Sequence, residues 1–145
     1  MQERIIEIEN GSPLLAAAFD LRREVFVIEQ GVPEEIEIDE LDDGATHLAA
    51  LVDQEVVGTL RIVEHEGTAK IGRVAVRAVA RRNGIGARLM EHAAAIVRGR
   101  GFGEIVLHAQ LSVAAFYRRL GYVEEGETFD EAGIAHIAMR KAIVP

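Results

Sequence analysis

The 145-residue sequence contains no cysteine, which excludes a disulfide framework, thiolate metal sites and a cysteine nucleophile. Any metal would need histidine and carboxylate ligands. The five histidines, at positions 47, 65, 92, 108 and 136, include no H-x3-H pair, so no metal is expected. No apolar run approaches the ~20 residues that a membrane-spanning helix requires. The opening MQERIIEIEN lacks the basic and then apolar pattern of a secretory signal. A soluble, cytoplasmic protein with no membrane partner is therefore expected. Internal repeats, low-complexity tracts and linker-like stretches are also missing. With 49% hydrophobic and 28% charged residues, the chain has the balance of one compact domain over residues 1–145.

Two segments each lack charge of one sign. Residues 70–90 hold six bases (Lys70, Arg73, Arg77, Arg81, Arg82, Arg88) and no acid, whereas residues 34–43 hold seven carboxylates and no base. The basic segment suits a small polyanion. A net charge of −8 opposes attraction to nucleic acid, so no such partner is expected. Charge alone equally fits a solvated arginine face.

What is present reads as alternating short elements. RIIEIE (Arg4 to Glu9) alternates at period two and predicts a strand, NGSP a turn, and Ser12 with Pro13 the cap and first turn of a helix running to about Glu29. The acidic stretch predicts a short helix within a loop. THLAALVD, EVVGTLRIVE and AKIGRVAV predict three strands joined by tight antiparallel connections at DQ and HEGT. Beyond Gly84 the apolar positions Ile85, Leu89, Ala93, Ile96 and Val97 recur at helical spacing, ending at GRGFG. EIVLHA predicts a buried strand, Ser112 caps a helix carrying Val113, Phe116 and Leu120, and YVEEGETF with IAHIAMRKA closes the chain as a hairpin. The resulting order, β-α-α-β-β-β-α-β-α-β-β, is an α+β layout with one mixed sheet covered by helices.

The junction VAVRAVARRNGIGARLM is a candidate site for an anion. The first N–H groups of a helix have no intrahelical partner, and the macrodipole adds about half a positive charge there. Gly84 and Gly86 remove the Cβ atoms that would hold a diphosphate off, and Arg81, Arg82 and Arg88 add donors. The segment lacks the Lys-Ser/Thr ending of a P-loop, and Leu89 stands where a dinucleotide fingerprint needs its third glycine, so neither ATP nor NAD fits. A tight turn with close helix packing is the plainer use of the same glycines.

RVAVRAVARRNGIGARLM resembles the acetyl-CoA motif of the GNAT family of N-acetyltransferases, whose Gln/Arg-x-x-Gly-x-Gly/Ala pattern falls on Arg81, Gly84 and Gly86. AQLSVAAFYRRLGY is similar to the family's second cofactor segment. LRREVFVIEQGVP with its following Asp and His positions, and GETFDEAGIAHIAM, resemble the ElaA-like branch. The resemblance covers essentially the whole chain. It implies the acyl-CoA N-acyltransferase fold, a single mixed and mostly antiparallel sheet flanked by helices. It also implies acetyl-CoA as cosubstrate and acetyl transfer to an amine by direct attack in a ternary complex.

Carried residue by residue, the resemblance implies that the backbone of Val74, Ala75 and Val76 binds the pantetheine arm. Arg81, Arg82, Asn83, Gly84, Ile85, Gly86 and Ala87 wrap the pyrophosphate. Gln110 stands where most members have a cofactor-contacting Asn, and Phe116 and Tyr117 form the aromatic pair, Tyr117 protonating the departing thiolate. A phenol near pKa 10 is protonated at neutral pH and suits that role, although Val113, Phe116 and Leu120 equally mark Tyr117 as a core residue. The base that deprotonates the amine is sought among Glu29, Glu64, His65, His108 and His136, with Glu29 and His108 carried forward as catalytic candidates.

The acceptor is expected to be an amine-bearing small molecule, a lysine side chain or an N-terminal amine, drawn by the acidic stretch Glu34 to Asp43. A monomer or homodimer is expected, with pairing possible near IAHIAMRKAIVP. Two rival readings are a non-catalytic acetyl-CoA sensor or scaffold module and a purely structural protein that shares only the fold.

Overall fold

The computed structural model describes residues 2–143. Seven strands form one mixed sheet: β1 (Glu3–Glu7), β2 (Thr46–Val52), β3 (Glu55–His65), β4 (Thr68–Val76), β5 (Glu104–Gln110), β6 (Val123–Glu131) and β7 (Ile134–Ala142). Their spatial order is β1-β2-β3-β4-β5-β7-β6, antiparallel throughout except for β4 beside β5. The sheet and helix order agree with the expected α+β fold. Asp53 and Gln54, and then Glu66 and Gly67, take positive φ in the two tight turns, which is what closes β2-β3-β4 as successive hairpins. β7 is interior, hydrogen-bonded on both sides by β5 and β6. Both sides of β7 are thus occupied within the sheet; the last two residues of IAHIAMRKAIVP lie outside the described residues.

Helix α1 (Pro13–Arg22) starts as predicted, with Ser12 Oγ accepting from the Leu14 N–H at 3.1 Å and Pro13 in the first turn. It continues as a π-helical segment over Arg23–Glu29, followed by α2 (Glu34–Glu37) and a 3₁₀ turn at Glu40–Gly44. Helix α3 (Ile85–Gly99) and the short α4 (Ala114–Arg119) complete the set. Ser112 is not a cap. It sits inside a 3₁₀ turn, Leu111–Val113, which hands over to α4 at Val113 without any side-chain cap bond. Among the described residues, no helix is long and apolar enough to cross a membrane.

Alternation along β2 buries the sheet on both faces. Leu48 and Ala50 join the cluster under α3 with Ile85, Leu89, Ala93 and Val97, while Ala49 and Leu51 join the cluster under α1 with Ala18, Leu21 and Val25. Each fully buried Leu, Ile or Val contributes about 1.5–3 kcal/mol. Gly58 brings α3 down onto β3, because a Cβ there would stand 2.9 Å from Leu89 Cδ1.

Candidate active site

The site begins with a break in the sheet. Strand β4 pairs with β5 only at Ala69↔Ile105 and Lys70↔Val106. Immediately beyond, the β3-β4 register shifts between Thr59↔Ala75 and Arg61↔Gly72, and Arg73 in this bulge has φ +53°. The bulge bends β4 while β5 stays paired with β7 along its whole length, so the two parallel strands part. The Arg77 N–H points to Val57 O in β3 at 2.8 Å. Peptide groups alternate along a strand, so those of Val76 and Val74 turn the other way, toward the opening.

A cavity of about 620 Å³ occupies this gap, lined by Val74, Ala75 and Val76 on one side and His108, Gln110 and Tyr117 on the other. Tyr117 is 8% exposed, and burial pushes its phenol up to about 12. Its ring stands edge-on to Phe116 at 5.0 Å. Gln110 Nε2 donates to Gln30 Oε1 at 2.8 Å, linking β5 to the end of the π-helical segment.

Helix α3 opens beside this gap without a side-chain cap and without an acid in its first turn. Gly84 has φ +77°, and a Cβ on it would meet Arg88 Nη1 at 2.6 Å; a Cβ on Gly86 would stand 3.3 Å from Phe116 Cζ. Both glycines thus serve packing, the plainer of their two expected uses. The same backbone leaves the first-turn N–H groups free to face an anion. Of the neighbouring bases, Arg81 donates to Val76 O at 2.7 Å and to Glu29 at 2.8 Å, Arg82 is exposed at φ +69°, and Arg88 is held by Glu3. Asn83 is exposed, its amide donating to Ala80 O at 3.3 Å. Ile85 is buried in the core, and Ala87 is partly buried.

The acidic stretch is folded inward. Arg22, 1% exposed, donates to Glu37 Oε1 at 2.7 Å and to both oxygens of Asp42 at 2.7 and 3.1 Å. Arg61 donates to Asp39 at 2.7 Å and to Asp42 at 3.0 Å, and Arg73 reaches Asp39 at 3.2 Å and Glu37 O at 3.0 Å. Burial opposes ionisation of Asp42, but hydrogen bonds from Arg22, the Asp39 N–H and Arg61 outweigh it and pull the carboxyl down to about 2. Glu34 pairs with Arg23. Glu37, Asp39 and Asp42 thus form a neutralised wall with Arg22, Arg61 and Arg73, while Glu35, Glu40 and Asp43 remain exposed.

Opposite this wall, the β6-β7 turn brings Glu131 over the sheet. Its Oε1 lies 3.0 Å from His108 Nδ1, and its Oε2 lies 3.7 Å from His136 Nε2. Lys70 Nζ is 3.3 Å from the same His108 Nδ1. Burial is the main force holding the Lys70 ammonium below its usual range, assisted by Arg61 and Arg73 and opposed by Glu131. Burial raises the Glu131 carboxyl, but His108, His136 and Lys70 together hold it below the ordinary range. With the proton on Nδ1, His108 donates to Glu131 and presents Nε2 as a proton acceptor.

The structure thus gathers Val74, Ala75, Val76, Gln110, Tyr117, His108 and His136 around one cavity. Glu29 pairs with Arg81 and does not line it, Glu64 pairs with Arg100, and His65 is the exposed last residue of β3 beside Glu66. Lys70, Glu131, Gln30 and the arginine wall lie outside the expected set. Only the i, i+2 spacing of His108 and Gln110, which places both on one face of β5, hints at that side of the cavity.

Comparison with known proteins agrees with this architecture. The Acetyltransferase (GNAT) domain model matches residues 9–143. Protein ElaA of Escherichia coli is 30% identical over 135 residues, covering 90% of this chain and 88% of ElaA, and its crystal structure superposes with a TM-score of 0.85. An acyl-CoA N-acyltransferase from Pseudomonas aeruginosa is 36% identical, with a TM-score of 0.84 over 97% of this chain and 99% of its own. An aminoglycoside 6'-N-acetyltransferase solved with coenzyme A, 23% identical, shares the fold over 98% of both chains with a TM-score of 0.81. The chain belongs to the GNAT acetyltransferase family.

Proposed function

We propose that this protein is a cytoplasmic N-acetyltransferase that takes an acetyl group from acetyl-CoA and passes it to an amine by direct attack in a ternary complex. The observation that carries this reading is the parting of β4 from β5 beyond Lys70. It turns the backbone of Val74 and Val76 into a cavity that also receives Tyr117 and His108. The residues present fit the cosubstrate. The uncapped first turn of α3 and the nearby arginines suit a pyrophosphate, and the strand edge suits the amides of a pantetheine arm. The coenzyme A complex of the aminoglycoside acetyltransferase, on the same fold, supports that fit.

Acetyl-CoA, when bound, supplies an acetyl thioester. The chain's own groups manage the protons. An alkylammonium acceptor loses one proton to His108 Nε2, directly or through water, which gives its nitrogen a lone pair. The N–C bond forms as the C–S bond breaks, Tyr117 supplies the proton that turns the leaving thiolate into a thiol, and the second proton shed by the nitrogen restores the Tyr117 phenol, directly or through water. Glu131 fixes the His108 tautomer and balances its charge. Glu29 is left out of the proton transfers because its carboxylate is tied to Arg81 and does not itself line the cavity.

Thermal unfolding with acetyl-CoA, CoA, NAD and ATP tests the first half of this reading. A ligand at 100 times its dissociation constant stabilises by about 2.7 kcal/mol, a shift of several degrees for a domain of this size. Only the CoA species are expected to give it. Release of CoA with an amine panel tests the second half. Binding without turnover would leave the sensor reading, and absence of binding would remove both.

A further inference from the structure

The charged side chains lining the cavity nearly all have partners, and the exceptions are informative. Of its Lys and Arg side chains, Arg61 is paired with Asp39 and Asp42, Arg73 with Asp39, and Arg81 with Glu29. Lys70 differs. Among the described residues no carboxylate oxygen comes within 4.0 Å of its ammonium, and the nearest polar atom, His108 Nδ1 at 3.3 Å, cannot accept from it while it carries the proton donated to Glu131. A half-buried ammonium without a directly contacting counter-ion is more costly than one in a hydrogen-bonded pair. Of the lining carboxylates, Glu37 and Asp39 are held by arginines, whereas Glu131 touches only two histidines. Its nearest full positive charge is Lys70, on the far side of His108 Nδ1 and not in direct contact.

We infer that the acetyl acceptor is a small amino acid whose carboxylate binds Lys70 while its ammonium is received by Glu131 and His108. Lys70 and Glu131 both lie within 3.3 Å of one ring nitrogen of His108, at 3.3 and 3.0 Å, so the cavity presents one positive and one negative group side by side that attract across the ring without forming a direct ion pair. An α-amino acid presents the complementary pair on adjacent atoms. Gly72 follows Lys70 on β4 and contributes no side chain to crowd that corner. The rest of the lining offers Ile36, Leu41, Val63 and Ile134 to an apolar side chain.

A polyamine or an aminoglycoside would leave Lys70 facing further positive charge, and a lysine within a protein carries no free carboxylate. The inference rests on the acetyltransferase reading and narrows its substrate class. The reaction is balanced as above, with the ammonium losing two protons, one of them made good to the thiol, so that one proton is released per acetyl group transferred.

The test is acetyl-CoA-dependent CoA release by the full chain with the proteinogenic L-amino acids, their α-amides and a set of simple alkylamines and polyamines. The inference expects at least one amino acid to exceed its own amide in kcat/KM by about tenfold or more, chiefly through KM, the scale of one charge-assisted bond. Replacing Lys70→Met should bring that ratio close to one, and Lys70→Arg should restore part of it. As an independent readout, the preferred acid should raise the melting temperature of the CoA-saturated wild type, and its amide should not.

An acid-to-amide ratio near one in the wild type, or a ratio that survives in Lys70→Met, overturns this inference while leaving the acetyltransferase reading standing. CoA binding with no acetylation of any amine overturns both.

Discussion

Arg88 grips Glu3 across 85 positions of sequence with two parallel hydrogen bonds, Nε to Oε2 at 2.5 Å and Nη2 to Oε1 at 2.6 Å. The same guanidinium donates to Asn83 O at 2.8 Å and lies over Gly84, so the first strand is fastened to the N-terminal end of α3. Both partners are on the surface, where such a pair contributes at most about 1 kcal/mol to stability. In the proposed complex its greater consequence is competition, because a pyrophosphate at this helix end would share Arg88 with a carboxylate. Glu3→Gln is expected to tighten CoA binding by roughly threefold at low salt, with the gain fading at high salt. Isothermal calorimetry of the two proteins checks this, and an unchanged affinity would take Arg88 out of the anion site.

Gly84 and Gly86 separate folding from binding. Gly86 is the second residue of α3, where a negative side chain favours the helix dipole, and its Cβ would crowd Phe116 Cζ only at 3.3 Å. Gly86→Asp should therefore fold with nearly wild-type stability and lose the CoA-induced rise in melting temperature. Gly84→Ala should instead cost about 1 kcal/mol or more, since φ is +77° and Arg88 blocks the new methyl. A Gly86→Asp protein that keeps its full CoA response would remove the diphosphate from this helix end.

The contrast between what was readable and what was not follows the range of the interactions. Strands β2, β3 and β4 were readable because alternation and turn residues are local, and so was the Ser12 cap. The bulge at Arg73 was not, because its positive φ falls on an arginine where a sequence reading would look for glycine or asparagine. Ser112 misled for the opposite reason: a favourable cap residue stood one position too early, inside a 3₁₀ turn. In the site, the glycine junction and the aromatic pair are contiguous motifs and could be found. Arg22 lies 15 and 20 positions from Glu37 and Asp42, and Lys70 lies 38 from His108, so only the fold reveals those pairings.

The buried arginine wall makes stability depend on acid pH. Asp42 has a folded pKa of about 2 against an ordinary 3.8, so its contribution is complete above the ordinary value and is lost as pH falls toward the folded one. The shift corresponds to about 2 kcal/mol. Denaturant unfolding between pH 6 and pH 2 should show this loss in the wild type, and Asp42→Asn should remove that part of the slope. Because the substitution leaves Arg22 short of a counter-ion at 1% exposure, it should also cost about 3–5 kcal/mol at neutral pH. Parallel wild-type and variant curves that differ by less than about 1 kcal/mol would show that the wall contributes little.

Tyr117 acts, in the proposed chemistry, in its protonated form, and burial raises its phenol to about 12. Raising the pH toward 10 therefore should not switch this donor off, whereas an ordinary phenol would be half ionised there. The wild-type kcat should show no alkaline fall from this group between pH 8 and pH 10. Tyr117→Phe should lower kcat by about 10- to 100-fold across that range while retaining the CoA-induced rise in melting temperature. The two readouts together matter because Tyr117 also packs edge-on against Phe116, the ring that covers Gly86. A variant that lost turnover and CoA stabilisation together would assign Tyr117 to shaping the cleft, and the proton for the departing thiolate would then have to come from another group.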